Sequence, residues 1–176
     1  MYTGHAAIAL FAKSRRKRIS LALLVPAAFG PDWIEWVLSG GTTVVTEHDR
    51  FLSHALVNVA GCAMVVALAY WILRRRQGIT SADAATVFAV YISHWVLDVI
   101  TGMNKPTWPG GPTFGLMFYS HVWWEAATEC ALVLVCWYAY HRSLPPPSRR
   151  REIGWVIPAS LIGLELVSAL LQQPMG

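Results

Sequence analysis

Ser93-His94-Trp95-Val96-Leu97-Asp98 lies inside an apolar segment that starts near Ser81 and runs to about Thr101. A His followed four residues later by a carboxylate puts both side chains on one face of a helix, about 5–6 Å apart at Cβ. The pattern recurs in the next apolar segment as Ser120-His121-Val122-Trp123-Trp124-Glu125. Ionisable residues inside membrane segments are expensive and mark functional positions. Two nitrogen–oxygen pairs on two helices have the geometry of a metal site built between helices.

The chain around this stretch is 55% apolar and only 14% charged over 176 residues. That is too apolar for an ordinary soluble domain. It predicts an all-α, polytopic membrane helical bundle, with residues 1–176 forming one domain. The net charge of +4 raises nucleic acid as a partner, but its distribution argues against one. Twelve of the 14 Lys and Arg fall at 13–18, at 74–76, and at 142 with 149–151. Each cluster flanks an apolar stretch, as in cytoplasmic loops under the positive-inside rule. Cys62, Cys130 and Cys136 lack CxxC spacing, so neither a disulfide framework nor a thiolate zinc site is expected.

Residues 1–12 are too short to span a bilayer. Residues 19–29 form a second short helix, broken at Gly30-Pro31. The first reading is a short N-terminal helical hairpin. The alternative is a cleaved signal, with 13–18 as its basic region and 19–29 as its apolar region. Trp33, Glu35 and Trp36 make a short amphipathic piece. Four full or nearly full spans follow, at 51–73, about 82–101, 118–140 and 153–171. Ser81 and Asp83 read as the cap and first-turn acid of the second span. Residues 102–115 hold four Gly and three Pro and read as a loop. With the basic clusters inside, the site faces the outer side of the membrane.

His5, His48, His54, His94 and His121 then lie toward the outer ends of their segments, with Asp32, Asp49, Asp98 and Glu125. His141 sits beside the inner basic cluster. Six of nine Trp fall on the outer side, which suits the rim of a site. Depths agree less well. At about 1.5 Å of rise per residue, His5 lies about 12 Å above Lys13, His94 about 18 Å above Ala82, and His121 about 31 Å above Arg142. Tilted helices or a lifted hairpin would reconcile them.

Each candidate also has an ordinary structural reading. Asp32 is placed to cap a helix after Pro31. His54 and His5 are placed to be interfacial residues, and His48 and Asp49 to be solvated loop residues. Glu129, one turn beyond Glu125, reads as a second-layer or helix-packing group. Imidazole and carboxylate without thiolate suit Zn, and also Mn or Fe. The number of candidates exceeds what one ion needs, so two or three ions are expected. Such clusters activate water for in-line displacement at phosphorus. Arg50 and Lys105 are the two basic residues on the outer side, where both suit an anionic phosphate.

At Gly4-His5, Pro31-Asp32, Arg50-Phe51-Leu52-Ser53-His54, Ser93 to Asp98, Gly102 and Trp108-Pro109, the chain resembles the LexA-binding, inner-membrane-associated, metal-dependent hydrolases of bacteria. It departs at Trp33-Ile34-Glu35, where the family often has a second Asp, and at Asp49, where the family has His. The order of the His and acidic residues is also similar to that of zinc-dependent phospholipase C and P1-type nucleases, soluble enzymes with three zinc ions. The resemblance implies a phosphoester hydrolase with His5, Asp32, His54, His94, Asp98, His121 and Glu125 as ligands. It further implies that Asp32 orients the attacking water. A phospholipid or lipid-linked phosphate is the expected substrate at that depth, with residues 102–115 as a lid. A metal-ion transporter, a haem-binding membrane subunit using His54 and His121, and a structural bundle with satisfied polar clusters are the competing readings.

Overall fold

A computed structural model describes residues 3–41, 52–101, 104–116, 122–145 and 153–171. His48, Asp49, Arg50 and His121 lie outside them. In order come α1 (Thr3–Arg15), α2 (Leu21–Ala28), α3 (Gly30–Leu38), α4 (Leu56–Arg74) and α5 (Ser81–Thr101). A two-stranded ribbon, β1 (Lys105–Pro106) and β2 (Thr113–Phe114), precedes α6 (Val122–Ser143) and α7 (Ile153–Leu171).

Three helical stretches are long and apolar enough to cross a membrane: Leu56–Gln77, Ser81–Thr101 and Gly154–Leu171. The α2–α3 pair, bent by 60°, makes a fourth if counted as one span. The expected span at 118–140 is not among them. Its described part, α6, is 22 residues long, but Glu125 and Glu129 and its Trp and Tyr residues lower its hydropathy.

The helix boundaries follow from local chemistry. Lys13 Nζ donates to the carbonyls of Lys17, at 2.7 Å, and Ile19, at 2.8 Å, closing the turn between α1 and α2. The Ser20 hydroxyl accepts from the Ala22 N–H and caps α2. Pro31 occupies the first turn of α3, where its missing N–H costs nothing. Thr80, rather than Ser81, caps α5. Its hydroxyl accepts from Asp83 N, and Asp83 Oδ2 accepts from Thr80 N at 2.9 Å. This is a reciprocal capping box.

α1 sits at the centre, against α2, α5, α6 and α7. Its small residues Gly4, Ala7, Ala9 and Ala12 let those neighbours approach closely. An apolar core of Leu24, Ala28, Val59, Ala63, Val87 and Val90 joins α2, α4 and α5. The Arg18 guanidinium donates to the Gly78 carbonyl at 2.9 Å, so the basic residues at 13–18 and 74–76 meet at one end. His94 lies thirteen residues beyond Ser81 on α5, about 20 Å toward the other end.

The start of α1 is tied to α6 and α7. Glu129 accepts the Gly4 N–H at 3.0 Å and the Thr3 hydroxyl, which also contacts Glu165 Oε2 of α7 at 3.0 Å. The first N–H groups of a helix have no partner within it, and here a carboxylate from another helix serves them.

The expected loop at 102–115 contains the ribbon, which pairs Lys105 with Phe114. It is pinned where Val57 N donates to Thr107 O and Leu116 N donates to Val99 O.

Candidate metal centre

Four segments bring His5, Asp32, His54, His94 and Asp98 together. Asp32 is on the first turn of α3, aimed by the bend after α2. At that bend α3 lies so close to α5 that a Cβ on Gly30 would stand 2.0 Å from the Tyr91 ring. His54 is on the helical turn before α4, held where Asn58 Nδ2 donates to the Leu52 carbonyl at 2.7 Å. His94 and Asp98 share one face of α5, with His94 Nε2 3.5 Å from Asp98 Oδ2. His5 comes from α1.

His54 Nε2 is 3.3 Å from His94 Nε2 and 3.3 Å from Asp32 Oδ1, and the third edge, His94 Nε2 to Asp32 Oδ1, is 3.4 Å. A tetrahedral ion with bonds of about 2.0–2.1 Å has ligand–ligand edges of about 3.3–3.4 Å. The triangle therefore has the size of one face of such a site. Asp98 Oδ2 stands 3.5 Å from His94 Nε2 and 3.9 Å from His54 Nε2, but Asp98 is not grouped with Asp32 at metal-ligand spacing.

The far nitrogens set the tautomers. His94 Nδ1 meets the Ala28 carbonyl at 2.9 Å, an acceptor, so Nδ1 carries the proton. His54 Nδ1 faces the Glu35 carboxylate at 3.2 Å and the Ser53 oxygen at 2.7 Å, and Ser53 in turn donates to Glu35 at 3.4 Å. In neutral rings both Nε2 atoms are then lone pairs. Two imidazole lone pairs and a carboxylate oxygen point at one spot, an arrangement that suits a cation or a shared proton.

His5 stacks on His94 with ring centroids 4.0 Å apart and places Nε2 3.5 Å from Asp98 Oδ1. Asp98 thus offers one oxygen to each side. His94 has only one nitrogen to give, so it serves a single ion. His5, His94 and Asp98 also lie close enough together to hold an ion, but this group draws on the same His94 nitrogen. Burial holds the His5 pKa below the ordinary imidazole value, outweighing the pull of Asp98. Its Nδ1 is buried with no hydrogen-bond partner among the described residues.

Lys105 reaches the site from β1, with its ammonium on Asp98 Oδ2 at 2.8 Å. It neutralises that carboxylate, where an open phosphate ligand was expected. Glu125 is placed elsewhere. It is grouped with Glu129 and Glu165, because the face of α6 that carries both glutamates turns toward the start of α1 and toward α7. Among the described residues, the groups that suit a metal on the histidine side are His5, His94, Asp98 and Asp32, His54, His94.

Glu35, Ser53 and the Ala28 carbonyl join the site without having been singled out as members. Glu35 carried a signal, since it stands three residues after Asp32 on the same helix face. The Asp32 side chain is 37% exposed, against 7% or less for the other four. The cup therefore opens beside Asp32.

Comparison with protein-family models, with curated proteins and with solved structures finds no match for this chain.

Proposed function

We propose that this chain is a metal-dependent hydrolase embedded in a bacterial inner membrane, acting on a phosphoester of a lipid or lipid-linked substrate. The observation that carries this reading is the near-equilateral triangle of Asp32 Oδ1, His54 Nε2 and His94 Nε2, three acceptors in a buried cup. Asp32, His54 and His94 would hold one ion and His5 with Asp98 part of a second, Zn being the first choice for such donors. Such ions supply a water acidic enough to attack at neutral pH, and positive charge against phosphoryl oxygens.

The protein's own groups do the rest. The Ala28 carbonyl and the Glu35 carboxylate lock the two imidazoles. Lys105 holds the Asp98 carboxylate in place and balances its charge. Asp32, at the open side, orients a water and takes its proton. Exposed Trp33, Trp36 and Trp108 supply amphipathic surface for the membrane–water boundary. With the basic clusters on the cytoplasmic side, the cup faces outward.

The apolar core below the site supports an enzyme over a transporter, which needs a path to both sides. The haem reading needs His121 beside His54, and His121 lies outside the described residues.

The test is metal content of purified protein beside His94→Ala and Asp32→Asn, followed by a phosphoester and phospholipid screen with the metal-loaded protein. Tightly held metal, lost in both variants, with hydrolysis that falls in parallel, is expected. Retained metal without hydrolysis of any phosphoester would overturn the enzyme reading. Wild type that binds no added Zn, Mn or Fe would overturn the metal site.

A further inference from the structure

α2 and α4 both pack on α5, yet they make little direct contact with each other. Between them runs a groove of about 800 Å³, floored by Leu23, Val65, Val66 and Leu73. A second cavity of about 420 Å³ shares Leu23, Val65 and Val66 with it and reaches Gly30, Ile34 and Tyr91 at the α2–α3 bend. The two adjoin along these shared residues and make an apolar channel on the outside of the bundle. Only one end of it is charged, with Arg18 and Arg74 beside Ser20 and Gln77.

The two arginines are held in position. Arg18 donates to the Gly78 carbonyl, and Arg74 donates to Gln77 Oε1 at 2.6 Å. Each contact uses one N–H of a group with five, so both guanidiniums keep donors for a further anion. The nearby carboxylate, Asp83, is taken up by Thr80.

We propose that this groove binds an anionic glycerophospholipid, its phosphate between Arg18 and Arg74 and one acyl chain along Leu23, Val65 and Val66 toward Tyr91. Guanidinium pairs recognise phosphate through charge-assisted, bidentate bonds. The apolar floor excludes a free phosphate metabolite as sole occupant, because it would leave the channel open. The lipid would complete the packing that α2 and α4 lack, and α2 carries the Ala28 carbonyl that orients His94. The proposal rests on the membrane reading and is independent of the hydrolase reading.

The test uses the full chain in detergent, titrated with dioleoyl phosphatidylglycerol or dioleoyl phosphatidylcholine and followed by native mass spectrometry and thermal unfolding. Phosphatidylglycerol is expected to bind about tenfold more tightly, because phosphatidylcholine brings a quaternary ammonium, a like charge, to the two guanidiniums. Arg18→Gln with Arg74→Gln should abolish that preference. Arg75→Gln with Arg76→Gln, an equal charge change close by, should keep it. Glycerol 3-phosphate alone should raise the Tm little. Equal affinity for both lipids, or equal loss in both double variants, would overturn the site in favour of a general basic surface. Crosslinking of wild type with a phosphatidylglycerol bearing a diazirine on its acyl chain gives a check free of folding effects. Adducts should fall on Leu23, Val65 and Val66, and adducts spread over α6 and α7 instead would overturn the proposal.

Discussion

His94 donates its Nδ1 proton to the carbonyl of Ala28, 2.9 Å away and sixty-six residues earlier in the chain. That bond leaves Nε2 as the only nitrogen of this ring able to face Asp32, His54 and Asp98. It also couples the site to the bend between α2 and α3, since Ala28 is the last residue of α2.

The equivalent support for His54 comes from Glu35. Groups that orient a metal-binding histidine are worth about 10–100-fold in affinity. Glu35→Gln should therefore weaken Zn binding by about that factor while the helical content persists. Competition with a chromophoric chelator would measure it, and unchanged affinity would show that Glu35 has no part in orienting the ring.

Lys105 and Asp98 form a buried ion pair with N···O 2.8 Å. Removing one partner of such a pair costs about 3–5 kcal/mol. Lys105→Met should lower the Tm of metal-free protein by several degrees, and added Zn should restore part of the loss by neutralising Asp98 again. A fall in Tm that Zn leaves untouched would separate Lys105 from the metal site.

Gly30 is required by a close approach, since any Cβ there meets the Tyr91 ring at 2.0 Å. Overpacking of this kind costs about 1–3 kcal/mol. Gly30→Ala should destabilise by that amount and also reduce metal retention, because α3 carries Asp32. Adding Tyr91→Leu should recover much of both. A double-mutant cycle reads the coupling, and simple additivity would rule out the contact.

His5 gives a pH dependence of definite sign. Its folded pKa is lowered by burial, so below about pH 6.5, the ordinary value, the unfolded chain binds the proton and the folded chain resists it. Stability rises with pH through this range and is fully present above it. Denaturant unfolding of metal-free protein should give a steeper loss between about pH 6.5 and 5 in wild type than in His5→Gln.

Much of the fold was legible in the sequence because its signals are local. Apolar runs of about twenty residues marked α4, α5 and α7, and Gly30-Pro31 marked the bend. The four-residue spacing placed His94 beside Asp98. Other features depend on distant packing and leave no periodic trace. The depth estimate set His5 about 6 Å below His94, but α1 packs on α5 so that their rings stack. Glu125 shares the spacing of Asp98 relative to its own His, yet its helix face turns to α1 and α7. Spacing alone cannot say which way a helix is rotated about its axis. Thr80 displaced Ser81 as the cap by one residue, within the usual uncertainty of helix ends.

The contacts of α1 also set a timetable. Thr3 and Gly4 are satisfied by Glu129 and Glu165, which the ribosome adds more than a hundred residues later. His5 lies on that same turn. A nascent chain that has inserted α4 and α5 already owns Asp32, His54, His94 and Asp98, and the partners on which His5 stacks, but Thr3 and Gly4 lack their carboxylate acceptors until α6 and α7 arrive. The earliest part of the site to be synthesised is thus the last to be fully secured, and premature termination before α6 leaves the start of α1 without its carboxylate acceptors.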